Sequence, residues 1–243
     1  MKILICGGAG FIGSNMCAEA INRGHTVIAF DNLWRPNVTV NVNYFQKTFK
    51  DNYTFMWGDV RNPEDLEKIG EVDAVIHLAA NPGAIDSVHY PIYDFRSNAV
   101  GTFNVLEFVK KRNIPIIYAS TTKTMSDIIN TFPMQESELR YDPIGISPEV
   151  KDGLDLDEHG LPIAINDKFP IDGFGKYGHS PYGISKLTGE LYAQEFHVTF
   201  GLPVVIFRMS CIYGLFQQGI EEQGWVSWFL KQLYKGNRKL NIF

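Results

Sequence analysis

Cysteine is scarce in this chain: Cys6, Cys17 and Cys211 are the only three, and none stands in a Cys-x-x-Cys spacing. An odd count without a pairing pattern points to reduced thiols and argues against both a disulfide framework and a zinc site. Positive charge is also in short supply. With 22 Lys+Arg against 27 Asp+Glu and a net charge of -5, neither nucleic acid nor an anionic membrane has an electrostatic reason to bind. No run approaches the ~20 apolar residues of a membrane span. The amino terminus goes straight into Lys2-Ile3-Leu4-Ile5-Cys6 with no signal-peptide pattern, so a cytoplasmic chain is expected. Apolar content is plentiful: 45% hydrophobic and 20% charged over 243 residues allow one large domain, or one domain plus a smaller lobe.

The apolar runs alternate with helical patterns. Ile3–Cys6 has the composition of a strand buried on both faces; Gly7-Gly8-Ala9-Gly10-Phe11-Ile12-Gly13 follows, then a helix over Ser14–Arg23 closed by Gly24. Thr26–Phe30 is a second buried strand and ends at Asp31; Tyr53–Trp57, Ala74–Leu78, Pro115–Tyr118 and Val204–Phe207 are four more. This order predicts an α/β, Rossmann-type doubly wound parallel sheet. In it, three glycines between strand and helix let the backbone approach a pyrophosphate, the helix start supplies N–H groups, and Asp31 holds a ribose diol. Gly7, Gly10, Phe11, Ile12, Gly13, Asp31 and Asn32 are therefore cofactor-side candidates. A carboxylate at Asp31 repels a 2'-phosphate and favours NAD over NADP, while Arg35 offers such a phosphate a partner or is a solvated loop charge. Asp59, followed by Val60, fits either an adenine contact or a loop cap. Leu78, Ala79 and Ala80 let a cofactor lie against the backbone, or reflect close helix packing. A long helix over Pro91–Lys111 repeats Phe95, Thr102, Phe103, Leu106 and Val109 at helical spacing, as core or as a subunit contact; Asn98 within it holds a site water or faces solvent.

Thr131–Gly178 is irregular. Asp155, Asp157 and Gly160 resemble a calcium loop only briefly, since His159 and Asn166 stand at its fifth and twelfth positions; a hairpin turning at Glu158–Gly160 fits better, and no metal is expected. Ser180-Pro181 then starts a helix ending near Gly201. Tyr182 and Lys186 share one face of it, one turn apart. A Lys ammonium beside a phenol favours the phenolate, so Tyr182 is expected to titrate below its usual range. Trp225, Trp228 and Phe229 form a stripe expected to face the core.

Gly7-x-x-Gly10-x-x-Gly13, Asp31, Asp59, Thr121 and Tyr182-x-x-x-Lys186, in that order, resemble the extended short-chain dehydrogenase/reductase family over essentially the whole chain. Ser120-Thr121-Thr122-Lys123, His179-Ser180-Pro181-Tyr182-Gly183 and Gln223-Gly224-Trp225-Val226 narrow the likeness to its nucleotide-sugar epimerases, in particular those acting on CDP-paratose and CDP-tyvelose at carbon 2. The resemblance implies Thr121, Tyr182 and Lys186 as catalytic residues. It adds Arg208, Tyr182 and Lys186 to the cofactor set, with Thr122, Lys123, His179, Ser210 and Gln223 as sugar contacts. The family's dehydratases carry Asp-Glu where Thr122-Lys123 stand here, which counts against dehydration. Further expectations are a homodimer through the Pro91 and Ser180 helices and a division into an NAD-binding domain (1–178), a catalytic helix with the last strand (179–210) and the start of a substrate lobe (211–243). Family members continue well past the position of Phe243, and commonly have an aromatic and a glycine in the Thr124-Met125-Ser126 loop.

Overall fold

The computed structural model describes residues 1–240 apart from 126, 147, 167, 172–177, 222 and 238; Ser126 of the loop singled out above lies outside the described residues. Strand β1 (Lys2–Cys6) leads through helix α1 (Phe11–Asn22), β2 (Thr26–Asp31), α2 (Thr39–Phe49), β3 (Tyr53–Trp57) and α3 (Pro63–Glu67) to β4 (Ala74–His77). Helices α4 (Ala84–His89), α5 (Pro91–Asp94) and α6 (Gly101–Arg112) precede β5 (Ile116–Thr121). Two antiparallel hairpins follow, β6 (Met134–Glu136) with β7 (Tyr141–Pro143) and β8 (Leu154–Leu156) with β9 (Pro162–Ile165). Helix α7 (Pro181–Phe200), β10 (Val204–Met209) and α8 (Trp225–Tyr234) complete the order.

Six strands form one parallel sheet in the order β10-β5-β4-β1-β2-β3. The chain moves outward from β1 to β3, then crosses back to β4, so the order reverses between β1 and β4; their carboxyl ends open the crevice that such sheets use for ligands. Two apolar layers cover the faces. Leu4, Phe30, Val75 and Ile116 pack with Leu106, Val109, Ala193 and Phe196 of α6 and α7; Ile5, Val27 and Ala29 pack with Cys17, Ile21 and Phe45 of α1 and α2. The inner strands β1, β2 and β5, buried on both faces, read as continuous apolar segments in the sequence, whereas the edge strands β3 and β10 leave Trp57, Val205 and Phe207 exposed and show through their apolar and β-branched composition.

Some elements depart from expectation. Helix α1 starts at Phe11, three residues before Ser14, because the glycine turn already feeds the first helical turn. The single helix expected over Pro91–Lys111 carries a turn of π-helix at Phe95–Val100 between α5 and α6; the extra residue of that turn shifts the register. Thr102, Leu106 and Val109 are accordingly fully buried while Phe95 is 53% exposed. The aromatic stripe of α8 does not face the core: that helix has no buried residue, and Trp225 is 60% exposed with its ring edge against Phe229. Among the described residues no helix is long and apolar enough to cross a membrane, and no cluster of His, Cys, Asp and Glu is suited to hold a metal ion.

Candidate functional site

The glycine turn is built by exclusion of side chains. Gly7 has φ +82°, a conformation L side chains rarely adopt, and a Cβ there would lie 2.7 Å from the Ala79 amide nitrogen. At Gly13 a Cβ would meet the Gly7 carbonyl oxygen at 2.0 Å. Strand β1, the loop after β4 and the start of α1 thus touch backbone to backbone. The first amides of α1 have no side-chain cap, so they stay available to an anion. Asp31, at the end of β2, accepts from the Ala9 amide (3.1 Å) and the Leu33 amide (2.8 Å). Burial pushes its carboxyl above the ordinary range, and those backbone donors oppose the push. A cradle that any Cβ would fill, a helix start with open amides and a carboxylate at the next strand end suit the pyrophosphate and ribose of a dinucleotide.

Around this cradle Asn32 donates to Asp59 (2.8 Å), which also receives the Arg61 guanidinium through its Nε (2.9 Å) and Nη2 (2.5 Å). Burial raises the Asp59 carboxyl, but the bonds from Arg61 and Asn32 outweigh it and hold the group below the usual carboxylate range. Val60 is buried behind Asp59 against Gly101. Leu78 continues the β1 ladder with Ala79 and Ala80 half-buried beyond it. Arg35 donates to the side-chain oxygen of Gln223, whose amide nitrogen donates to the Pro82 carbonyl (3.0 Å). Gln223 therefore bridges the loops after β2 and β4, on the cofactor side of the fold.

Helix α7 carries the second half of the site. Ser180 caps it by accepting from the Gly183 amide (3.1 Å), with Pro181 in the first turn. A Cβ at Gly183 would lie 2.3 Å from the Lys123 carbonyl oxygen, so the helix start sits directly on the loop after β5. There the Tyr182 phenol comes within electrostatic reach of the side chain of Thr121, the last residue of β5. One turn on, Lys186 is buried with its Nζ 4.4 Å from the centre of the Tyr118 ring. The electrostatics correct the sequence expectation. Burial raises the Tyr182 phenol, the Thr121 hydroxyl opposes this, and the charge of Asp94 adds to it. Lys186 is itself pushed down to about 7 by burial, against the pull of Glu190. Desolvation penalises the charged form of both partners, and a reading based on the neighbouring charge alone omits it.

Asn98, placed among the cofactor candidates, has its amide committed to protein. Its Oδ1 accepts from the Asn81 amide (2.7 Å), and its Nδ2 donates to the Asn81 carbonyl (3.0 Å) and to Ser185 Oγ (2.9 Å). It ties the crevice loop after β4 to the helix of Tyr182. The Arg208 guanidinium is likewise engaged by protein: it binds buried Glu190 through Nε (3.0 Å) and Nη2 (2.5 Å). Arg208 lines a cavity of about 850 Å³ together with Thr122, Lys123 and Ser210. His179 packs its Cβ near Gly183 and has a buried Nε2 without a hydrogen-bond partner among the described residues. Sequence reading missed Glu190, Ser185, Asn81 and Arg61. For the first two a signal existed, since Ser185 is three residues after Tyr182 and Glu190 four after Lys186, on the faces already under scrutiny.

Comparison with known proteins places this geometry. The model of the "NAD dependent epimerase/dehydratase family" matches residues 3–149 and 164–243. The CDP-paratose 2-epimerase of Salmonella typhi is 33% identical over 99% of this chain and 66% of its own length. A putative UDP-glucose 4-epimerase of Methanocaldococcus jannaschii is 31% identical over 96% of this chain and 63% of its own. The structure of the UDP-glucose 4-epimerase of Thermus thermophilus in complex with NAD superposes with a TM-score of 0.69 at 26% identity, covering 100% of this chain and 64% of that one. The chain thus spans about two thirds of the length of these relatives. With the match running from the glycine cradle through Tyr182 and Lys186 to α8, the chain belongs to the NAD-dependent epimerase/dehydratase family.

Proposed function

We propose that this chain carries the cofactor-binding and acid/base residues of a nucleotide-sugar epimerase, with CDP-paratose and CDP-tyvelose as the substrate pair and carbon 2 as the reacting centre. The observation that carries the reading is the juxtaposition of Thr121 at the carboxyl end of β5 with Tyr182 in the first turn of α7, and Lys186 one turn below it. The substrate assignment is supported by the identity to CDP-paratose 2-epimerase along nearly the whole chain, and by Thr122-Lys123 standing where dehydration would need a carboxylate pair. NAD is held by the Gly7–Gly13 turn and the start of α1 at the pyrophosphate, by Asp31 at the adenosine ribose, and by Lys186 at the nicotinamide ribose. When bound it supplies a hydride acceptor at carbon 2 that returns the hydride within the same turnover. Tyr182, as the phenolate that a charged Lys186 favours, takes the proton of the carbon-2 hydroxyl as that carbon becomes a ketone, and gives it back after the sugar has turned its other face. Thr121 holds the same oxygen, and Lys186 balances the charge of the phenol. Thr122, Lys123, His179 and Ser210 shape the sugar side.

The chain acts as a homodimer. Tyr90, Ile92 and Phe95 around α5 and Ile184, Leu191 and Tyr192 on α7 are exposed large apolar side chains, and α5 and α7 pack on each other, which supports a partner surface there. A sedimenting monomer would remove this part. Three unpaired cysteines suit the cytoplasm, where nucleotide sugars are handled. The test of the activity is incubation with CDP-paratose or CDP-tyvelose in deuterated buffer, read by NMR. The epimer should appear with little deuterium at carbon 2, and stoichiometric incorporation would overturn hydride return. Tyr182→Phe should keep bound NAD while turnover falls by orders of magnitude; unchanged turnover would refute the role of the phenol.

A further inference from the structure

Helix α7 has a second buried ionisable group on the same face as Lys186. Glu190 follows Lys186 by one turn, and the two are only 1% and 3% exposed. A lone buried carboxylate is costly, so its partners matter. Ser120, the residue before Thr121 on β5, donates its hydroxyl to Glu190 Oε2 (2.7 Å). Arg208 on β10 grips both carboxylate oxygens, and Gln194 donates from the next turn of α7 (3.4 Å). One carboxylate therefore pins together the strand end bearing Thr121, the helix bearing Tyr182 and Lys186, and the adjacent edge strand. Lys186 lies on the other side of this knot. From β4 it is faced by His77, whose ring stacks on Tyr118, and from β5 by Tyr118, whose hydroxyl donates to the Lys186 carbonyl (3.1 Å). From its own helix it is faced by Tyr182, itself within electrostatic reach of Asp94 of α5. Among these neighbours Glu190 supplies the negative charge that acts on the Lys186 ammonium.

We propose that Glu190 is a positioning residue of the site: fixed by Ser120 and Arg208, it keeps the buried Lys186 ammonium charged and seated against the Tyr118 ring, under Tyr182. Its importance for turnover rests on the reading of Lys186 as the partner of Tyr182, whereas its effect on Lys186 does not. Lys186 and Glu190 stand at i and i+4, where the Cβ atoms of a helix are ~6 Å apart, and an opposite charge that near, in a site closed to water, favours the ammonium. The measurement is the lysine ε-carbon NMR titration of the whole chain, with the Lys186 resonance assigned by its absence in Lys186→Met. Glu190→Gln, which keeps the shape and loses the charge, should move the Lys186 midpoint down by about one to two pH units. Glu190→Asp, which keeps the charge, should bring it most of the way back. Simple loosening of the knot predicts the opposite sign, because letting water reach Lys186 raises its midpoint towards ~10.4. An upward or absent shift in Glu190→Gln would overturn the proposal. Should that variant fail to fold because Arg208 is left unpaired, Glu190→Gln with Arg208→Gln removes the pair as a unit, and the downward shift is expected there too. A downward shift, in a protein whose turnover ignores Lys186→Met, would uphold the tie and count against the proposed function alone.

Discussion

His77 provides a test of the core beneath the site. It is fully buried at the end of β4, stacks on Tyr118 with ring centroids 5.7 Å apart, and its Nε2 lies 3.0 Å from Thr102 Oγ1. Thr102 donates its own hydroxyl proton to the Asn98 carbonyl (2.6 Å), so it receives a proton from His77, and the ring is neutral with its hydrogen on Nε2. Burial, with the charge of Lys186 adding to it, pushes the imidazole down to about 3 from the ordinary 6.5. In the unfolded chain the same ring titrates near ~6.5. The folded value is the lower one, so the unfolded state binds more protons across the window from 6.5 to 3, and folding stability falls as pH falls through it. Stability from this group is complete above about 6.5, and at about 1.4 kcal/mol per pKa unit roughly 2 kcal/mol of it is gone at pH 5. Urea unfolding of the wild type and of His77→Gln, at about pH 7.5 and about pH 5, isolates the effect. The variant starts less stable, since it loses the stacking, but should lose about 2 kcal/mol less than the wild type between the two pH values. Equal losses in the two proteins would show that His77 is protonated in the folded state and refute the argument.

The glycine cradle and its carboxylate give further expectations. Gly13→Ala sets a Cβ 2.0 Å from the Gly7 carbonyl oxygen with backbone on both sides; it should cost at least about 2 kcal/mol in urea unfolding and abolish NAD retention, and a protein that still co-purifies with NAD would contradict the cradle. Asp31→Ala should weaken NAD about tenfold or more by calorimetry, the loss of one or two charge-assisted bonds. Because burial raises the Asp31 carboxyl, NAD affinity in the unaltered protein should begin to fall at a higher pH than an ordinary aspartate would give, as protonation removes the ribose acceptor; affinity flat down to about pH 4 would count against that assignment. Gln223→Ala removes the bridge between Arg35 and Pro82 and should speed NAD dissociation while leaving urea stability within ~0.5 kcal/mol, with an unchanged off-rate assigning Gln223 to the fold's surface instead.

What was legible in the sequence follows the reach of its signals. The cradle is local: strand, glycine turn, helix and Asp31 occupy one βαβ unit, and glycine spacing there is dictated by contacts a few residues away. Helix capping by Ser180 and the Tyr182–Lys186 pairing are equally local. The knots that hold the site together are not. Ser120 reaches Glu190 across 70 positions, Asn98 reaches Ser185 across 87, and Arg35 reaches Gln223 across 188; no periodicity records such pairs, because only the closed sheet makes them neighbours. The π turn at Phe95–Val100 adds one residue to a helix whose pattern read as continuous, and so hid which of its aromatic residues are exposed. The Tyr182 expectation failed for a related reason. Spacing shows which charge stands nearby, but the sign of a pKa shift is decided by that charge against desolvation, and desolvation depends on every element packed around the group. Tyr118 and His77 stand against Lys186 in a core that buries it deeply enough for its own ammonium to be barely favoured near neutrality. In such a site a carboxylate one turn away decides whether Lys186 carries the charge the phenol needs, which gives the Glu190 titration its weight.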